Sequence, residues 1–227
     1  MATLTYYGHS TWGVETSGLT ILIDPFFTGN PQSPVAAGDV HPSFIILTHA
    51  HGDHYGDTVD IVKRTGATVI SNFEIVSYCQ KQGVANAHPL HIGGGYGFPF
   101  GRVKLTVAHH GSSFPDGTYG GDPAGVLLDV EGKRIYHAGD TALFSDMSLI
   151  GAGGLDVALL PIGDNFTMGP EDAATAAKFL RARTVIPMHY NTWPVITQDP
   201  EAFKRRVETS TDSRVAILRP GETFPVR

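Results

Sequence analysis

The sequence predicts an α/β protein built as two sheets packed face to face with helices on the outside. Three observations predict it. Segments with strand character alternate with segments of helical spacing along most of the chain. The chain opens on three consecutive strand-like runs, a β-meander. Each group of candidate ligand residues follows directly on a predicted strand, where side chains can converge along one edge of such a sandwich.

Residues 3–7, 12–16 and 19–23 form the meander, with turn signals at Gly8 and at Ser17-Gly18. His9, in Gly8-His9-Ser10, lies in the first turn and reads as a solvated turn histidine, with support of a ligand as the alternative. Asp24 ends the third strand, where a carboxylate either caps the turn or orients a ligand histidine. Phe44-Ile45-Ile46-Leu47 is a short apolar run that reads as a buried strand. A helix of about ten residues is expected from Tyr55, then a strand over 67–70 and a helix over 72–82. Gly93-Gly94-Gly95-Tyr96-Gly97 matches neither G-x-G-x-x-G nor a P-loop, and reads as a hairpin loop. Strands are expected at 103–108, 124–130, 133–138, 155–160, 184–187 and 214–218, and helices at 142–150, 170–181 and near 200–209.

The chain has 227 residues, of which 41% are hydrophobic and 17% charged, with a mean hydropathy of −0.04, so it can bury a real core. No linker composition divides it, and one domain over residues 1–227 is expected. Lys and Arg number 16 against 22 Asp and Glu, a net charge of −6, and no basic run exceeds Lys204-Arg205-Arg206. That balance disfavours nucleic acid as a partner, and none is expected, because sequence-independent binding rests on basic patches that neutralise phosphates. The single cysteine, Cys79, rules out an intramolecular disulfide, fits a reducing cytosol and reads as core filler. The first residues lack a signal-peptide pattern and no run of about eighteen apolar residues occurs, so a cytoplasmic protein without stable membrane association is expected.

The chemistry is carried by His49-Ala50-His51-Gly52-Asp53-His54, three histidines and an aspartate within six residues. A chance H-x-H-x-D-H in this composition has a likelihood on the order of two in a thousand, which favours a metal site over a histidine-rich surface loop. The motif joins a strand to a helix. In the extended part, residues two apart point the same way, so His49 and His51 can offer imidazoles to one ion, while Asp53 and His54 turn with the chain towards a second. Imidazole suits zinc, iron, nickel and copper, and a carboxylate adds manganese. Further candidates are His109-His110 after strand 103–108, Asp140 after strand 133–138 and His189 after strand 184–187. Val103, Leu105 and Val107 alternate with Lys104, Thr106 and Ala108. Continuing that period puts His109 on the apolar face and His110 on the other, which selects His110 as the ligand.

The set Asp24, His49-x-His51-x-Asp53-His54, His110, Asp140 and His189, in that order and spacing, resembles the metallo-β-lactamase superfamily along the whole chain. Gly8-His9-Ser10, Asp24-Pro25-Phe26, Ala138-Gly139-Asp140-Thr141, Pro161-Ile162-Gly163-Asp164 and Met168-Gly169-Pro170-Glu171-Asp172-Ala173 are similar to a branch known only as metal-dependent hydrolases. Sugar-phosphate lactonases and the phospholipase D acting on N-acylphosphatidylethanolamine stand near that branch. The resemblance implies a four-layer αββα sandwich holding two divalent ions, zinc first, with manganese, iron or nickel as alternatives. It puts His49, His51 and His110 on the first ion, Asp53, His54 and His189 on the second, and Asp140 between them. Nearby members carry Ala-Phe-His-Gly-Ser at the His110 position, which again selects His110. True β-lactamases of the superfamily have a cysteine where Asp140 stands and usually lack a ligand at the His54 position, so antibiotic hydrolysis is not expected.

Two ions about 3.5–4 Å apart can hold a shared water as hydroxide, since metal binding lowers its pKa to around 7, and either ion can neutralise an oxyanion. The expected activity is therefore hydrolysis of a small ester, lactone or phosphodiester, with a small molecule as substrate. Asp53, with a free carboxylate oxygen, is the candidate catalytic group that shuttles the proton. A di-iron redox protein and a non-enzymatic metal or metabolite binder are the competing readings. Substrate is expected to meet the loop Phe26-Phe27-Thr28-Gly29-Asn30-Pro31 and Gly163-Asp164-Asn165, unless Phe26 and Phe27 belong to the core.

Overall fold

In the computed structural model, which describes residues 1–227, fourteen strands form two seven-stranded sheets. The first contains β1 (Thr3–Tyr6), β2 (Trp12–Thr16), β3 (Leu19–Ile23), β4 (Phe44–Ile46), β5 (Thr68–Asn72) and β6 (Ala87–Leu90). The second contains β7 (Gly95–Phe98), β8 (Gly101–Val107), β9 (Ala124–Val130), β10 (Lys133–His137), β11 (Val157–Pro161), β12 (Thr184–Met188) and β13 (Arg214–Val215). The last strand, β14 (Thr223–Pro225), returns to the first sheet beside β1. Each sheet is antiparallel over its hairpin-linked strands and parallel over the rest, from β3 to β6 and from β10 to β13. Parallel neighbours need long crossovers; the one from β3 to β4 is a loop with a single 3-10 turn at Ala37–Asp39, and the others carry helices. These are α1 (Gly52–Tyr55), α2 (Thr58–Thr65), α3 (Phe73–Lys81), α4 (Met147–Gly151), α5 (Pro170–Leu180) and α6 (Pro200–Ser210).

Period-two alternation sorts the apolar side chains into layers. In β11, Val157 and Leu159 face the core between the sheets, with Leu4, Trp12, Ile21, Val103, Val126 and Ile186. Ala158 and Leu160, on the other face, pack with Ala173, Ala176, Ala177 and Leu180 of α5 and Phe203 and Val207 of α6. Beyond the first sheet, Leu22, Ile45 and Val69 meet Ile61, Val62, Ile75 and Cys79 of α2 and α3. Three apolar seams make four layers, and the expected αββα sandwich is the one observed. Leu159 is fully buried in the middle seam. Leu159→Ala is expected to cost about 2–5 kcal/mol of stability, read by denaturant unfolding, because a sheet pair cannot collapse onto the cavity.

The differences from expectation have local causes. The helix expected from Tyr55 is two short helices broken at Gly56, where φ is +39° and a Cβ would run into the Pro25 carbonyl oxygen. The backbone N–H of Asp57 then donates to that oxygen at 2.9 Å, and its carboxylate accepts from Phe27 N and Thr28 N at 2.8 and 2.9 Å, pinning the Pro25–Thr28 loop. Gly95, Tyr96 and Gly97 lie in strand β7 rather than in a hairpin loop, and Gly93-Gly94 is the passage from the first sheet to the second. A glycine-rich run has no side-chain period to read, so its pairing with β8 was invisible. The helix expected from 142 begins only at Met147, because Ala142 N donates to His109 O and Thr141 O accepts from Met168 N.

Candidate metal centre

Six loops that follow β1, β3, β4, β8, β10 and β12 converge at one edge of the sandwich, and they deliver His9, Asp24, the 49–54 motif, His110, Asp140 and His189. His9, Asp24 and His189 have φ of 56°, 49° and 55°. Left-handed backbone at non-glycine residues is uncommon, and here it turns three side chains from strand ends into the same space.

All seven expected donors come together there. Ligand atoms of His49, His51 and His110 form one group, and those of Asp53, His54 and His189 a second that also includes His9, with atoms in each group within 4.8 Å of one another. Asp140 stands between them. Its Oδ2 lies 3.5 Å from His110 Nε2, 4.0 Å from His49 Nε2 and 3.0 Å from His189 Nε2, and its Oδ1 lies 3.3 Å from His54 Nε2. His49 Nε2 and His51 Nδ1 are 3.0 Å apart. An ion with metal–nitrogen distances of about 2.0–2.1 Å accepts two nitrogens at that separation.

Neighbouring groups fix which nitrogen faces inward. Asp24, fully buried, accepts from Thr48 N at 2.8 Å and from the Thr48 hydroxyl at 2.6 Å. The hydroxyl hydrogen being spent, the Thr48 oxygen accepts from His49 Nδ1–H at 3.0 Å, which leaves the His49 Nε2 lone pair facing the cluster. Asp24 also accepts from His54 Nδ1–H at 2.8 Å and so turns His54 Nε2 inward. Of the two roles expected for Asp24, orienting a histidine is the one observed.

The cluster fits a divalent cation on its own evidence. His54 Nε2, His189 Nε2 and Asp140 Oδ1 are buried with no hydrogen-bond partner. Asp24, Asp53 and Asp140 pair with histidines alone, and no lysine or arginine balances them. Burial raises the Asp140 carboxyl, but His189 and His54 outweigh it and hold the group well below the usual carboxylate range. Burial also raises Asp53, and His54 and His9 outweigh it. Burial pushes His49, His51 and His110 below the usual imidazole value, so they offer neutral lone pairs. On His54 burial acts downward, and Asp140, Asp24 and Asp53 reverse it to well above the usual value. A proton on His54 thus occupies the place where the three carboxylates call for positive charge.

Access is from the side of Asp53 and His110, whose side chains are 26% and 15% exposed. The roomy hollows of about 490 Å³ beside Arg102 and Phe144 and about 570 Å³ beside Lys133 and Arg183 contain none of these donors. Convergence of donors, not volume, marks the site.

Three expectations are corrected. His9 is not solvated but fully buried: its Nε2 lies 3.0 Å from Asp53 Oδ2, its Nδ1 2.7 Å from Thr192 Oγ1, and its ring centroid 3.9 Å from that of His189. The rule that selected the other candidates, a polar residue just after a strand, would have selected it as well. His110 is in the cluster as expected, yet His109 is exposed against Phe144 rather than on a buried face. The alternation of β8 breaks after Leu105: Thr106 and Ala108 are buried and Val107 is 38% exposed. Thr106 is covered on the outer face by Tyr136, next to Gly125, a contact that no strand period contains. Phe27 belongs to the core, while Phe26 lies at the edge of the site with its ring centroid 5.7 Å from His9 and 6.2 Å from Trp193.

Residues 20–190 match the family model described as a beta-lactamase superfamily domain. A UPF0173 metal-dependent hydrolase of Bacillus cereus is 54% identical over 227 residues, covering 97% of this chain and 98% of the relative. The solved structure of Igni18, a metallo hydrolase from the archaeon Ignicoccus hospitalis, is 40% identical with a TM-score of 0.90, covering 100% of this chain and 99% of that one. An isothiocyanate hydrolase from Delia radicum gut bacteria shares the fold, with a TM-score of 0.78 at 22% identity, covering 98% of both chains. No helix is long and apolar enough to cross a membrane. With its sandwich, its donor-bearing edge and relatives matched over nearly their full length, this chain belongs to the beta-lactamase superfamily, among its metal-dependent hydrolases.

Proposed function

We propose that the chain is a dinuclear hydrolase of small esters, lactones or phosphodiesters. His49, His51 and His110 would hold one divalent ion, Asp53, His54 and His189 a second, and Asp140 would touch both. The observation that carries this is the position of Asp140, a buried carboxylate within 4.0 Å of nitrogens from both histidine groups. When bound, two divalent ions supply Lewis acidity and a lowered pKa for water, and zinc suits the donors first.

The chain's own residues supply orientation and proton handling. Thr48 and Asp24 keep His49 Nε2 and His54 Nε2 aimed inward, so those rings need no reorientation, and an ion would displace the proton on His54. Asp53, partly exposed at the mouth and held as a carboxylate, would take a proton from attacking water and pass it to a leaving group. Phe26 and Trp193, with ring centroids 6.2 Å apart beside His9, form an apolar wall on the Asp53 side, suited to a hydrophobic part of a small substrate.

The test is metal analysis of protein purified without added metal, followed by native mass spectrometry on zinc addition and a panel of chromogenic esters, lactones and phosphodiesters. Two ions per chain at saturation and turnover of at least one class are expected. Uptake of a single ion would remove the dinuclear site, and iron with oxygen-dependent chemistry but no hydrolysis would favour the redox reading.

A further inference from the structure

We propose that His9 is a positioning residue that aims the Asp53 carboxylate and seats the His189 ring, through a hydrogen-bond chain running from Thr192 through His9 to Asp53. This rests on the two-ion reading above.

The direction of the chain follows from counting hydrogens. An ionised carboxylate has none to give, so the 3.0 Å contact between His9 Nε2 and Asp53 Oδ2 is an Nε2–H donating to the carboxylate. In a neutral ring His9 Nδ1 then carries a lone pair, and the Thr192 hydroxyl, which also lies 3.2 Å from Gln32 Oε1, donates its single hydrogen to the nearer Nδ1 at 2.7 Å. Gln32 holds both ends. Its Oε1 accepts from His9 N at 3.1 Å and its Nε2 donates to Tyr190 O at 3.2 Å, an arrangement that also fixes which way the amide faces. His9 O in turn accepts from His189 N at 2.8 Å.

Both ring nitrogens of His9 are therefore committed, which separates it from His54 and His189, whose Nε2 atoms face Asp140 without an aligned hydrogen bond. His9 is a poor donor to an ion and a good support for one. The oxygen that it engages, Asp53 Oδ2, is the one 3.9 Å from both His54 Nε2 and His189 Nε2. His189 also lacks the hydrogen bond that orients His54. Its Nδ1 has no partner, its Nε2 faces Asp140 Oδ2 at 3.0 Å without an aligned hydrogen bond, and the His9 ring packs against its face at 3.9 Å. One side chain thus restrains two of the three donors assigned to the second ion.

The full-length chain is loaded with zinc, with stoichiometry read by native mass spectrometry and the affinity of each ion by chelator competition. His9→Ala is expected to keep the first zinc and to bind the second about 10–100-fold more weakly. His9→Gln, which returns an N–H donor near the Nε2 position, should recover most of that affinity. Thr192→Val keeps the volume but frees the His9 tautomer, and should weaken the second zinc by about tenfold. Wild-type affinity for both ions in His9→Ala and Thr192→Val would overturn the role. So would a His9→Ala protein that fails to fold alongside a Thr192→Val protein that binds normally, since His9 would then act by packing alone. A wild-type chain that stops at one zinc overturns the two-ion reading itself, and this role with it.

Discussion

Asp140→Ala is expected to lower the rate on any substrate that the wild type turns over by at least a hundredfold, roughly the upper end of what removing a mere support of a ligand costs. The reason is its placement. Its oxygens lie within 4.0 Å of His49, His54, His110 and His189, and it is 3% exposed, so no water of bulk solvent replaces it. Without it, two like-charged ions would lose the carboxylate between them, and the second should fail to bind. Folding should change far less, because the ionic partners of the side chain are all members of the cluster and the three apolar seams are untouched. Asp140→Asn keeps the shape and removes the charge, so both variants should lose the second ion in native mass spectrometry with nearly wild-type unfolding curves. An Asp140→Ala protein with wild-type metal content and rate would end the bridging assignment.

His110→Ala is expected to weaken the first ion and cut the rate by a similar factor, whereas His109→Phe should leave metal content and most of the activity intact. His110 Nε2 belongs to the group with His49 and His51, while the ring of His109 is exposed and packs at 5.1 Å on Phe144. A phenylalanine can keep that contact. Metal titration of the two variants side by side checks this, and the reverse pattern would mean that the loop after β8 presents its histidines the other way round.

The pair also shows how far a strand period reaches. His110 was selected from the sequence by an alternation that the structure does not keep: Val107 is exposed and Thr106 buried, and His109 faces solvent. The selection agrees with the structure because the resemblance pointed to the same residue. Periodicity reports which side chains share a face of a strand. Burial depends on what covers that face, and at the end of β8 the cover is Tyr136, one strand beyond its neighbour β9.

What the sequence by itself determined is the architecture and a set of candidate donors. Apolar runs such as 44–47 and 155–160, bounded by turn signals, mark strands buried on both faces, and histidines and aspartates at the ends of strands that run the same way can then gather on one edge. These are properties of spacing along the chain, and they survive without knowledge of any long-range contact. The tertiary structure alone decided which lone pair faces inward and what stands behind it. Asp24 sets the tautomer of His54 across 30 residues of chain and, through Thr48, 24 residues away, that of His49, and Thr192 and Gln32 hold His9 across 183 and 23. A hydrogen bond acts through space and is blind to sequence separation, so a histidine in the short turn between β1 and β2 reads as solvated in the sequence although the loop after β12 covers it.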